Sequence, residues 1–143
     1  MTKMTKMQTC KIMRRSDCPV SYALEVLGDR WTLLIIRDLL FAGKQHYRQF
    51  LGSDEKIATN ILADRLRRLQ AAGIVEKGPD PKNRRAFLYE LTPKGNDLAP
   101  ALLELIRWAA RHDPDSAVPD DYMRVLDGDR DQAIASLKSA LGD

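Results

Sequence analysis

Cysteine, histidine and aromatic side chains are scarce in this chain, and long apolar runs are missing. Its 143 residues include two cysteines, Cys10 and Cys18, and two histidines, His46 and His112. Two thiols in a C-x7-C spacing, with both imidazoles far off in sequence, are a poor metal site, so neither a metal nor another cofactor is expected. Neither histidine stands in a recognisable nucleophile-and-acid pattern. There is no glycine-rich phosphate loop and no carboxylate pair in a cleft-forming context, so the sequence does not read as an enzyme. No apolar stretch approaches the roughly 20 residues needed to span a bilayer. The N-terminal MTKMTKMQTCKIMRR is basic but lacks the apolar segment of a signal peptide. A cytoplasmic location without membrane contact is expected, where thiols stay mostly reduced.

What is present is charge, unevenly distributed. Lysine and arginine exceed acids by three in residues 1–43 and by five in residues 44–94, whereas acids exceed bases by five in residues 95–143. The middle of the chain suits a polyanion and the tail would repel one.

Apolar spacing places helices along the chain. Pro19 suits a first helical position, and Val20, Ala23, Leu24 and Leu27 recur at helical intervals up to Gly28. Asp29 can cap the next helix, which runs through Leu33, Leu34, Ile36 and Leu40 to a stop at Gly43. These first two helices read as core, with Trp31 as an anchor. A short helix over Tyr47–Leu51 and a turn at Gly52–Ser53 precede a longer helix from about Ile57 to Ala72, closed by Gly73. On that helix Ala58, Leu62, Leu66 and Leu69 share one face. Asn60, Asp64 and Arg67 occupy the other, flanked by Thr59 and Arg68. Two helices around a tight turn, the second with a polar outer face, form a helix-turn-helix pattern.

Two short strand patterns follow, Ile74–Lys77 and Ala86–Leu91, with GPDPKNRR as the loop between them. Its tip gathers Lys82, Asn83, Arg84 and Arg85, as a DNA-binding wing requires. Thr92-Pro93 then opens a long helix that Pro100 is expected to bend. Its Leu98, Leu102, Leu105, Ile106 and Trp108, with Leu103, exceed the needs of one small core and suggest a second subunit. Beyond the acidic HDPDSAVPDD, Asp129 or a neighbour caps a final helix carrying Ala133, Ile134, Leu137 and Leu141.

The order CPV, ALEVLGDRWTLLIIRDLL, HYRQF, LADRLRRLQAAGIVEK and YELTPKG resembles the HxlR family of bacterial winged-helix transcription regulators over roughly residues 18–111. The resemblance implies a mainly α fold with a small β-hairpin wing, a homodimer whose long helix flanks the DNA-binding core, and sequence-specific binding of operator DNA by a repressor. It also implies a possible role for Cys18, since in some members a cysteine there senses oxidants or electrophiles. Residues 1–17 then form a basic arm and residues 112–143 an acidic extension. Ala58 and Ala63 stand where the family often has hydroxyl residues.

The side chains assigned to DNA are Lys56, Thr59, Asn60, Asp64, Arg67 and Arg68 on the recognition helix and Lys82, Asn83, Arg84 and Arg85 on the wing. Asn can pair with adenine and Arg with guanine in the major groove, while Lys56, Arg68 and the wing cations suit phosphates. Arg65, nearer the buried face, is left to Asp64, Glu76 or a phosphate. A small-molecule effector is compatible with this reading, with Tyr22, Trp31 and Trp108 as pocket candidates. The competing readings are a winged-helix module for protein interaction and a ligand sensor without DNA binding.

Overall fold

The computed structural model describes residues 14–116 and 128–141. Cys10 and most of the basic arm lie outside the described residues. In chain order the elements are α1 (Pro19–Leu27), α2 (Thr32–Leu40), α3 (Tyr47–Leu51), α4 (Thr59–Ala71), β1 (Val75–Asp80), β2 (Asn83–Leu91), α5 (Pro93–Asn96), α6 (Ala99–His112) and α7 (Arg130–Leu141). The core is built around the fully buried Ile36, Phe41, Phe50, Leu62, Leu66, Leu69, Ile74 and Leu103. It therefore joins α2, α3, α4, the hairpin and α6 into one body.

Local signals explain most boundaries. Pro19 starts α1 directly after Cys18, whose backbone is extended. The Asp29 carboxylate accepts hydrogen bonds from the backbone N–H groups of Trp31 (2.7 Å) and Thr32 (3.0 Å), closing the start of α2 as its spacing predicts. The end of α4 is a Schellman turn: Gly73 is left-handed (φ 74°), its N–H bonds the Gln70 carbonyl, and the Ile74 N–H bonds that of Leu69.

Five expectations need correction. First, α1 buries none of its residues, and Val20 (65% exposed) and Leu24 (61% exposed) face outward; only α2 is a core helix throughout. Second, α4 begins at Thr59, so Ala58 is its exposed N-cap rather than a member of the buried face, and it supplies no capping oxygen. Third, the link between α3 and α4 runs from Gly52 to Ala58, longer than the tight turn expected at Gly52–Ser53, and its left-handed residue is Lys56 (φ 56°).

Fourth, the strands of the hairpin are longer than the turn residues suggested. Gly78 pairs with Leu88, Pro79 with Phe87, and Asp80 with Asn83, so the register shifts near the tip. Arg84, Arg85 and Ala86 are the extra residues on β2, a bulge at the wing end. The Asp80 carboxylate accepts the Lys82 N–H (2.8 Å) and the Asn83 side-chain oxygen accepts the Arg85 N–H (3.1 Å), two Asx turns that hold the tip.

Fifth, Pro100 does not bend a long helix. The helix opened by Thr92 and Pro93 stops at Asn96, and Pro100 occupies the first turn of a new helix, α6, where the N–H it lacks has no intrahelical partner. Gly95, within α5, lies close against the hairpin; a Cβ there would strike the Ile74 carbonyl and the Leu91 side chain. The last helix, α7, seats Ala133 and Leu137 in the same core, and Asp129 caps it by accepting the Asp131 and Gln132 N–H groups.

Candidate nucleic-acid interface

Burial divides α4 cleanly. Leu62, Leu66 and Leu69 face the core, and Thr59, Asn60, Arg67 and Arg68 face solvent. The helix is thus held by its apolar side and offers its polar side to a ligand. Lys56 is exposed just ahead of it, and Lys82, Asn83, Arg84 and Arg85 are exposed at the wing tip.

Several contacts that sequence spacing did not reveal hold α4 in place. The Tyr47 hydroxyl donates to the Thr59 carbonyl (2.7 Å), joining the first helix of the motif to the first turn of the second. At the other end Lys94 donates to the Ala72 carbonyl (2.8 Å), placing a cation at the negative end of the helix dipole. The turn between the helices is anchored from below. The buried Asp38 carboxylate accepts from the Arg37 guanidinium (2.8 and 3.1 Å) and from the Ser53 hydroxyl, and Lys44 lies 3.5 Å away. Arg37 continues to Glu55 through two hydrogen bonds of 2.8 and 2.9 Å. The Arg37 hydrogen bond holds the Glu55 carboxyl down at about 2, against the opposing effect of its burial, and Glu55 with Asp38 raises the Arg37 guanidinium.

Arg65 finds its partners within the protein. Its Nε lies 3.2 Å from Asp29 Oδ1, off the N–H axis and so an ion pair rather than a hydrogen bond, and its Nη1 meets Asp64. Of the protein partners its position allowed, it takes Asp64 rather than Glu76. Burial pushes the Asp29 carboxyl up, but the Thr32 hydroxyl, the backbone N–H groups of Trp31 and Thr32, and Arg65 outweigh it and hold the group below the usual carboxylate range.

Asp64 also differs from the simple reading of a base contact. Its carboxylate meets Arg65, Arg67 (3.5 Å) and Arg68 (3.1 Å) together. At the wing, His46 lies 3.6 Å from Asp80, and an open cleft between α3 and β2 is lined by Tyr47, Arg48, Asn83, Arg85 and Phe87. Lys77 stands over the exposed Phe87 ring, 4.5 Å from its centre.

The residues proposed for subunit contact divide. Leu102 is buried in the chain's own core, as is Leu103, so neither is available to a second subunit; Leu98 and Ile106 are half-buried. Leu105 (51% exposed) and Trp108 (65% exposed) project outward. Cys18 is an exposed free thiol whose N–H bonds Ser16 Oγ at 3.3 Å. Upstream of it, Arg15 pairs with Glu25 at 2.9 Å and Arg14 stacks over Tyr22.

A short helix, an anchored turn, a second helix with a cationic outer side and a basic hairpin define a winged helix-turn-helix DNA-binding domain. The chain belongs to the HxlR-like helix-turn-helix family, whose sequence pattern matches residues 26–117. It is 33% identical over 99 residues to the HTH-type transcriptional regulator YvaP of Bacillus subtilis, a match covering 68% of this chain and 91% of YvaP. It is also 33% identical over 98 residues to the HTH-type transcriptional regulator YodB of B. subtilis, covering 68% of this chain and 87% of YodB. The structure of reduced YodB superposes with a TM-score of 0.57 at 29% identity, over 71% of this chain and 99% of that one, and YodB has also been solved bound to a quinone. The structure of PA1607 superposes with a TM-score of 0.67 at 34% identity, over 74% of each chain. The protein is accordingly a DNA-binding transcriptional regulator and not an enzyme. Among the described residues no helix is long and apolar enough to cross a membrane.

Proposed function

We propose that the protein is a cytoplasmic, homodimeric repressor that binds operator DNA with α4 in the major groove and the wing tip against the backbone. The observation that carries the DNA contact is the division of α4: three leucines are buried on one side, and Thr59, Asn60, Arg67 and Arg68 are exposed on the other. Thr59 and Asn60 lie in the first turn, the part of a recognition helix that usually reaches base edges. Arg67 shares the base-reading face with Asn60; Arg68, Lys56 and the wing residues Lys82, Arg84 and Arg85, beside Asn83, supply phosphate contacts, and a wing arginine also suits a narrow minor groove.

The dimer rests on a stripe along α6. Ala101, Leu105, Trp108 and His112 are all exposed and spaced by 4, 3 and 4 residues, the spacing that lines up one seam of a helix pair. Val20 and Leu24 on α1 add a second uncovered apolar surface. For the signal, Cys18 is an exposed free thiol at the start of α1, open to a small electrophile. The quinone-bound form of YodB supports an electrophilic small molecule as the effector.

The test is a fluorescence-anisotropy titration of duplex DNA at two salt concentrations. Binding that weakens steeply as salt rises is expected, because phosphate contacts release counterions. Absence of binding at low salt would leave a winged-helix interaction module. The sensing reading is tested by DNA affinity before and after mild oxidation of the native protein and of Cys18→Ser; an equal effect in both, or none in either, overturns the role of Cys18.

A further inference from the structure

Asp64 is the sole acid of α4, and it stands on the side of the helix that carries the DNA-facing arginines. Its two oxygens engage Arg65, Arg67 and Arg68. Arg65 is mostly covered, with 19% of its side chain exposed, and is shared with Asp29, so it belongs to the packing of α4 against the start of α2. Arg67 and Arg68 are different: 75% and 69% of their side chains are exposed, yet both lean back to one carboxylate. A carboxylate is an awkward neighbour for DNA, since it repels phosphates and the bases offer it few donors, chiefly the cytosine amino group. A cation already paired in this way gains little from a phosphate, because it exchanges one anion for another and leaves the first one unpaired.

We propose that Asp64 determines specificity by restraint: it holds Arg67 and Arg68 so that DNA offering only backbone charge is bound weakly. Arg67 and Arg68 then engage DNA only where the remaining contacts of α4 seat the helix deeply enough for the groove to replace the carboxylate. This deepens the proposed DNA-binding function and rests on it.

The experiment compares the native protein, Asp64→Asn, Asp64→Ser, Arg68→Gln and the double variant Asp64→Asn/Arg68→Gln. Each is titrated with a short random-sequence duplex over a series of salt concentrations, and its preferences are read by selection from a randomised duplex library. Asp64→Asn and Asp64→Ser are expected to bind the random duplex about tenfold tighter, with a salt slope steeper by about 0.9 for each arginine released to a phosphate. Their selected sites should be less enriched in sequence. Arg68→Gln should weaken random-duplex binding more in the Asp64→Asn background than in the native one, a coupling that loss of folding would not produce. Unchanged or weaker random-duplex binding by both Asp64 variants, with an unchanged salt slope, overturns the proposal and returns Asp64 to a base-reading or structural role. A native protein that binds no duplex at any salt overturns the DNA-binding reading itself.

Discussion

The buried carboxylate of Asp38 accepts a hydrogen bond from the hydroxyl of Ser53, tying the last turn of α2 to the turn of the helix-turn-helix. Because Arg37 and Lys44 converge on the same carboxylate, the angle at which α4 leaves that turn depends on a polar knot beneath it. Replacement of Asp38 by Asn keeps the shape but removes the charge that the two cations share. Asp38→Asn should cost about 1–3 kcal/mol of folding stability. Urea denaturation would check it, and a midpoint equal to that of the native protein would show the knot to be dispensable.

The outer strand of that knot, Arg37 with Glu55, makes a pH prediction. The Glu55 carboxyl is held at about 2 against an ordinary value of 4.5. A depressed carboxyl contributes stability that is complete above its unfolded value and is lost as pH falls through the interval from 4.5 towards 2. Glu55 is partly open to solvent, so salt weakens the contribution. Thermal melting of the native protein and Glu55→Gln should differ near neutral pH and converge as the pH is lowered through that interval; a constant difference would contradict the assignment.

The residues proposed to face DNA separate by how their loss is felt. Arg84→Ala should weaken binding to every sequence and reduce the salt slope by about 0.9 if it holds one phosphate. Asn60→Ala should leave random-sequence binding nearly intact and cost about 1–3 kcal/mol on the preferred site. Anisotropy titrations on both kinds of duplex distinguish the two patterns.

Ala58 is the N-cap of α4 and has no oxygen to offer its first N–H groups. Ala58→Ser supplies one, and should stabilise the protein by about 0.5–2 kcal/mol. The same hydroxyl would stand at the end of the helix proposed to face DNA, so duplex affinity should rise as well. Chemical denaturation and a single titration measure the two effects separately.

For the seam on α6, Leu105→Asp and Trp108→Asp place charge on the exposed stripe without entering the core. Sedimentation should show a shift from dimer to monomer, with folding retained. Weaker DNA binding follows, because two half-sites can no longer be held at once.

Structure is legible in this sequence where one short-range pattern decides it. Leu62, Leu66 and Leu69 announce the buried side of α4, and Gly73 its end, because both depend on residues within a turn or two. Gly78, Pro79 and Asp80 carry the local chemistry of a turn, whereas their pairing with Leu88, Phe87 and Asn83 is made across the hairpin, beyond the reach of local pattern. Periodicity also showed that Val20 and Leu24 share a side of α1, but it cannot say what covers that side. At Pro100 the apolar repeat continues unbroken, which hides the break between α5 and α6 from periodicity. The contacts of Asp38 with Ser53 and of Asp64 with three arginines depend on three-dimensional placement and rotamer choice, and no spacing rule encodes them.

That break has a geometric consequence. Because α6 starts afresh at Ala99 and Pro100, its direction is set at a joint, Asp97 and Leu98, rather than inherited from the helix under the wing. In the proposed homodimer this joint is the elbow between the shaft that pairs the subunits and the head that reads DNA. Its angle would fix how far apart the two α4 helices lie, and with it the number of base pairs between the halves of the operator. A single residue inserted at the elbow should therefore change the preferred operator length while leaving each half-site sequence the same.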